Sequence, residues 1–229
     1  MPTTNRTEES TPRQRRKQAR PQELLEAALA LFVEKGFAAT RADEVARLAG
    51  VSKGTLYLYY PSKEELFKAV VRQNLGGLIA QGRDLVSQFQ GSSGELLVCL
   101  MQTWWERAGG TAAGGIHKII LAEVRNFPDL AQFYVDEVIV PAHHLLATAV
   151  QRGVTSGEFR ALPPQAVAHV LMAPIIFMAL HRHSFGACPV QGELLDPDTI
   201  LKTHLDLVLH GLCLPGNAPV APTKKASRK

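Results

Sequence analysis

The run from Arg41 to Tyr60, R-A-D-E-V-A-R-L-A-G-V-S-K-G-T-L-Y-L-Y-Y, constrains this chain more than any other stretch. It predicts two short helices joined by a tight turn. Thr40 is placed to cap the first, with Asp43 near the positive end of the helix dipole. Val45, Ala46 and Ala49 form an apolar stripe at helical spacing. Gly50 supplies the positive φ that ends the helix, and Val51 plugs the corner beneath it. Ser52 then caps a second helix, Lys53 to Tyr60.

The second helix carries the functional signal. Leu56 and Tyr60 lie one turn apart and face inward with Val51, which leaves Lys53 with Tyr57, and Thr55 with Tyr59, on the opposite surface. A helix that only covers a core would show Glu, Lys and Gln there. Lysine, threonine and tyrosine together donate to phosphates, meet base edges and pack on sugars or thymine methyl groups. Gly54 costs about 1 kcal/mol against alanine inside a helix, so it implies close backbone approach, as to a phosphate. A helix-turn-helix that places its second helix in the major groove needs this arrangement.

The flanks extend the pattern. L-L-E-A-A-L-A-L-F-V-E-K-G-F-A-A-T at 24–40, V-A-R-L-A-G-V-S-K-G-T-L-Y at 45–57 and Y-P-S-K-E-E-L-F at 60–67 together resemble the DNA-binding domain of the tetracycline-repressor (TetR) family, across Pro21 to Val71. Tyr60 stands where that family usually has Phe. Leu58-Tyr59 replaces a commonly polar pair, so a base preference does not carry over. The resemblance implies an all-α protein with an N-terminal three-helix helix-turn-helix domain and a larger helical ligand-binding and dimerisation domain. The segment I-L-A-E-V-R-N-F-P-D-L-A-Q-F-Y at 120–134 looks like one subset of the family's C-terminal halves. Expected DNA contacts are Arg41, Ser52, Lys53, Gly54, Thr55, Tyr57, Tyr59 and Lys63. Arg41 and Lys63 hold phosphates in this reading, Lys53 and Thr55 reach base edges, and Tyr57 packs on the backbone.

Charge and composition set the bounds. Apolar residues make up 46% of 229, enough for a sizeable core, and net charge is +4. No uninterrupted 18-residue apolar run predicts a membrane span, and the N-terminus does not read as a secretory signal. Cys99, Cys188 and Cys213 are odd in number and far apart, which fits a reducing cytoplasm and argues against a disulfide framework or zinc site. Basic residues concentrate at both ends. The expected domains are a basic flexible arm at 1–20, the helix-turn-helix domain at 21–71, a helical domain at 72–214 and a basic flexible tail at 215–229. The arm is a candidate for minor-groove or phosphate contact.

Pro21 suits the first position of a helix that carries Leu24, Leu25, Ala28, Leu31 and Phe32 and ends at Gly36. Ser62-Lys63-Glu64-Glu65 reads as a capping box opening a longer helix, with Gly76-Gly77 marking a bend. Beyond residue 92 the pattern predicts helices at about 94–108, 112–125, 128–153, 163–184 and 198–213, kinked at Pro141 and Pro174.

The last two helices are the candidate dimer interface, through Leu171, Ile175, Met178, Leu201, Leu205 and Leu209. Val167, Val170, Ile176, Phe177, Leu180, Val208 and Leu212 widen these stripes. Trp104, Trp105, His117, Phe133, Met172 and Phe177, with Phe127, Tyr134 and His181, are candidates to line a cavity for an apolar or amphipathic small molecule. His143-His144 and His181/His183 lack the spacing of three or four that helical metal ligation prefers, so no metal or cofactor is expected. No nucleophile elbow, phosphate loop or dinucleotide fingerprint occurs, so the chain does not read as an enzyme. The expected function is a homodimeric repressor on a pseudo-palindromic operator, released by a small molecule. The alternatives are an activator, or a helical ligand-binding protein or enzyme without promoter regulation.

Overall fold

The computed structural model describes residues 12–185 and 196–214, with side chains from Arg20 onward. The described residues are helical with no strand among them, and Phe159 and Cys213 form an isolated antiparallel bridge. They fall into two compact units, one ending at Val70 and the other beginning at Val71. Cys188, residues 1–11 of the expected arm and the tail at 215–229 lie outside the described residues.

The first unit holds α1 (Pro12–Lys35), α2 (Ala42–Leu48), α3 (Lys53–Tyr59) and all but the last residue of α4 (Lys63–Val71). Helix α1 starts nine residues before the expected Pro21, which lies inside it. The run R-Q-R-R-K-Q-A-R at 13–20 consists of good helix formers, and it carries the helix back past a proline that forfeits a hydrogen bond. Leu24, Ala28 and Phe32 are fully buried along one face. Phe32, Phe37 and Phe67 close the centre as a ring triangle, with centroids 5.3–5.6 Å apart.

Two turns position α2 and α3. Gly36 takes φ +85° after α1, and the side chain of buried Thr40 turns back to donate to the carbonyls of Leu31 (3.1 Å) and Gly36 (2.7 Å). Thr40 therefore closes the open carbonyl end of α1 and does not cap α2. Arg41 occupies that cap position, and its N–H is accepted by the Glu44 carboxylate at 3.3 Å. At the other end of α2, Gly50 takes φ +67°. Val51 N–H donates to Ala46 and Gly50 N–H to Arg47, the paired bonds of a Schellman stop. Ser62 Oγ accepts from Glu65 N–H at 3.1 Å to open α4.

The second unit comprises α5 (Gly77–Gln88), α6 (Ser93–Trp104), α7 (Gly115–Glu123), α8 (Pro128–Tyr134), α9 (Val140–Thr155), α10 (Pro164–Ser184) and α11 (Pro197–Leu212). Widened turns with i→i+5 bonding occur at Arg72–Gly76, Trp105–Gly109 and Val135–Ile139. The third precedes Pro141, whose ring would crowd the carbonyl four residues back, so the expected kink takes the form of an enlarged turn. The first and third are tied by a bidentate bridge from Arg72 to Glu137 (2.7 and 2.5 Å).

Helix α10 packs along α9 and touches α7 and α11. Its length and apolarity would suit a bilayer span, a property that core helices share; here Val167, Leu171, Ile175 and Met178 join the core. Gly153 leaves room for the Phe159 ring, which would lie 2.2 Å from any Cβ added there.

Candidate nucleic-acid interface and ligand cavity

Helix α3 buries one side chain, Leu56. Ser52 caps it in extended conformation, its Oγ accepting from Thr55 N–H (3.1 Å) and bonding Thr55 Oγ1 (2.9 Å). Ser52, Lys53, Gly54, Tyr57 and Leu58 form the exposed face, while Thr55 and Tyr59 are half-buried. The outward stripe is thus rotated from the Thr55/Tyr59 pairing expected of the sequence. Leu58, 80% exposed, is its most prominent apolar member. A leucine in a run of tyrosines carries no local signal that it faces outward. Lys53 Nζ lies 5.8 Å from the Tyr57 ring centroid, which orients the cation along this face.

Gly54 has no internal reason to be glycine. An added Cβ would meet only Ser52 Oγ, at 3.8 Å, in open space. Its helix penalty serves nothing within the unit, so the room it leaves suits something outside. Charge agrees: no acidic residue occurs between Glu44 and Glu64, whereas Arg47, Lys53 and Lys63 fall in that interval. Arg41 is exposed at the start of α2, 3.1 Å from Asp43, and this hydrogen bond holds the Asp43 carboxyl below its usual range. Half-burial raises the Tyr60 hydroxyl above the ordinary tyrosine value. Lys63 is placed differently from the phosphate ligand expected of it. Its ammonium donates to the carbonyls of Phe37 (2.9 Å) and Ala38 (3.1 Å) and sits 4.5 Å over the Phe37 ring. It braces the turn after α1.

In the second unit a cavity of about 210 Å³ opens between α5, α6, α9 and α10. Trp104 and Met172 line it as expected. The other candidates do not. Trp105 is buried in the core, Phe133 packs under the Arg72 guanidinium at 4.9 Å, and Phe177 is 60% exposed. Phe127 precedes α8 at its cap, and His181 lies half-buried between the rings of Phe177 and Phe185. His117 is buried against Trp104 and hydrogen-bonds the Tyr134 hydroxyl through Nδ1. Burial, helped by nearby His183, pushes its pKa down to about 4, and burial drives the Tyr134 hydroxyl well up. Arg107, Gln81 and Leu145 line the cavity without having been legible as doing so.

The six residues expected at a dimer interface, Leu171, Ile175, Met178, Leu201, Leu205 and Leu209, are all buried within the single chain. Their stripes are the inner faces of α10 and α11. The outer faces carry Val170 (56% exposed), Phe177 and Leu207 (68%), with Ala173 and Gly211 also exposed.

Residues 24–70 match the model of the bacterial regulatory proteins of the tetR family, and residues 90–196 match a tetracyclin repressor-like C-terminal domain. The chain belongs to the TetR family. It is 27% identical over 202 residues to the transcriptional repressor KstR2 of Rhodococcus jostii, covering 88% of this chain and 95% of that one. The transcriptional regulator RutR of Escherichia coli K12 is 49% identical over 63 residues, 28% of this chain and 30% of that one. The crystal structure of FadR from Bacillus subtilis in complex with stearoyl-CoA shares the fold, with a TM-score of 0.65 at 19% identity over 83% of this chain and 98% of that chain. The protein is a DNA-binding transcriptional regulator.

Proposed function

We propose that the chain is a homodimeric repressor that binds a pseudo-palindromic operator and lets go when an apolar or amphipathic small molecule fills the cavity of its second unit. The observation that carries the reading is the outer face of α3: acid-free, with Lys53, Tyr57 and Leu58 exposed around a glycine that no internal contact requires. Lys53 reaches base edges. Ser52, Gly54 and Arg41 meet phosphates, Tyr57 packs on the backbone and Leu58 on thymine methyl groups. Thr55 and Tyr59 are border contacts.

Reading two half-sites requires two recognition helices about 34 Å apart, which one chain does not supply. The outer faces of α10 and α11 support a second copy as the partner, since Val170, Phe177 and Leu207 leave apolar area in water and Gly211 has open space above it. The stearoyl-CoA held by Bacillus subtilis FadR supports a small molecule as the signal. Such a molecule acts only by binding the DNA-competent and DNA-released states unequally. The regulator works in the cytoplasm, with no catalytic step assigned to it.

Selection of bound fragments from the host genome by the purified protein tests this. One pseudo-palindrome with half-sites a helical turn apart is the expected outcome. Fragments without two-fold symmetry, or none above background at low salt, would overturn it.

A further inference from the structure

The cavity has a polar mouth and an apolar floor. Leu100, Met101, Leu146 and Met172, all buried, form the floor. At the mouth stands Arg107, exposed, on the widened turn that follows α6. Its guanidinium donates to the neutral amide oxygen of Gln81, itself a lining residue on α5. No carboxylate among the described residues is paired with it. An exposed arginine with a neutral partner thus stands at the rim of an apolar chamber.

Resting on the reading of this cavity as the effector site, we infer that its occupant is an amphipathic monoanion, an apolar body of about seven carbons ending in a carboxylate held by Arg107. The head group follows from competition. Gln81 already supplies a neutral acceptor, so an alcohol or amide gains little by replacing it, whereas an ionised acceptor bonds roughly twice as strongly and fits the fork bidentately. Among the described lining residues Arg107 is the one cation, which sets one negative charge. The body follows from volume. An apolar cavity of about 150 Å³ takes the six carbons of benzene, so one of about 210 Å³ takes a chain of about seven or eight.

Octanoate, octan-1-ol and octylamine share one chain and differ in head. Each is titrated into the full-length protein, read by the fluorescence of Trp104 and Trp105, the first of which lines the cavity. Octanoate is expected to bind at least tenfold more tightly than the other two. In Arg107→Gln that preference falls below threefold, and in Ala142→Leu, which adds three carbons at a lining residue and narrows the chamber, octanoate binding weakens markedly. From butanoate to octanoate each CH2 tightens binding about fourfold, and longer acids level off. An alcohol equal to octanoate, an amine that binds best, octanoate indifferent to Arg107→Gln, or no binding of any of the three overturns the inference. Operator gel shifts on the same samples separate the two readings. Octanoate bound without DNA release keeps the ligand class and defeats release, while release by another compound with octanoate unbound does the reverse.

Discussion

Helices α3 and α10 both present apolar side chains to solvent, but only α3 declares it in its residue types. Helix α3 buries Leu56 alone of its seven residues, and what remains outside is Lys53, Gly54, Tyr57 and Leu58, a set that neither a core nor plain solvent asks for. Helix α10 buries seven of 21, yet its outer face carries Val170, Ala173 and Phe177, the same types as its inner face. A face built for a polyanion differs chemically from a core. A face built for another apolar surface does not, and periodicity alone cannot say which of two apolar stripes turns inward.

The sharpest way to break that comparison is to charge the outer face of α10 and α11. Phe177→Glu with Leu207→Glu is expected to convert a dimer to a folded monomer in sedimentation and to lower operator affinity a hundredfold or more. Leu171→Ala, fully buried nearly two turns along α10, is expected instead to cost about 2–5 kcal/mol of stability and to leave the folded protein dimeric. If the double glutamate variant remains a dimer, the outer face is not the interface.

The same inside-outside test on α3 uses neighbouring positions. Leu56→Ala removes a fully buried side chain and is expected to cost about 2–5 kcal/mol of stability. Leu58→Ala is expected to leave the urea midpoint unchanged and to weaken operator binding. Lys53→Ala is expected to cost about 1–3 kcal/mol of operator binding and to relax sequence choice. Equal losses on matched and scrambled sites would move Lys53 from base edge to phosphate.

These contrasts explain what the sequence made legible. Gly36, Gly50, Pro128 and Pro164 punctuate the chain with residues that leave few backbone alternatives, so helix positions came through. Pro21 misled because the arginine-rich run before it favours helix strongly enough to carry through. Thr40 and Lys63 carry side chains with several local uses, and the choice was made by contacts with Leu31 and Phe37 from another helix and its turn. Trp104 and Met172 were found as cavity residues by their type, yet the same rule chose Trp105 and Phe177, one buried and one exposed. Arg107 had no signature at all, since an arginine at a cavity mouth looks like any solvated arginine.

Acid separates the two units in another way. All eight histidines follow residue 116, and His117 is the buried one. Its folded pKa of about 4 lies below the ordinary 6.5, so the unfolded chain takes up the proton first. Stability is therefore full above pH 6.5 and falls as pH drops towards 4, by roughly 1.4 kcal/mol per pH unit. Urea unfolding at pH 7.5 and 5.0, followed by Trp104 and Trp105, is expected to show a loss of about 2 kcal/mol from His117, which His117→Gln removes while leaving the share of His143 and His183, whose pKa values burial also lowers. An unchanged loss in that variant would assign the acid sensitivity elsewhere.

The smallest effect tests whether the first unit keeps its lysines for DNA or for itself. Lys63 bonds two carbonyls and covers Phe37, so Lys63→Met is expected to cost about 1 kcal/mol of stability, the net worth of an ordinary hydrogen bond, because water solvates part of the ammonium. Its effect on DNA should come only through that loss, which leaves the slope of log K against log salt as in the unmodified protein. Lys53→Arg keeps both charge and slope, whereas Lys63→Met would lower the slope by about one if its ammonium met a phosphate. A lowered slope with unchanged stability would return Lys63 to the operator and leave the turn after α1 to be held by Thr40 alone.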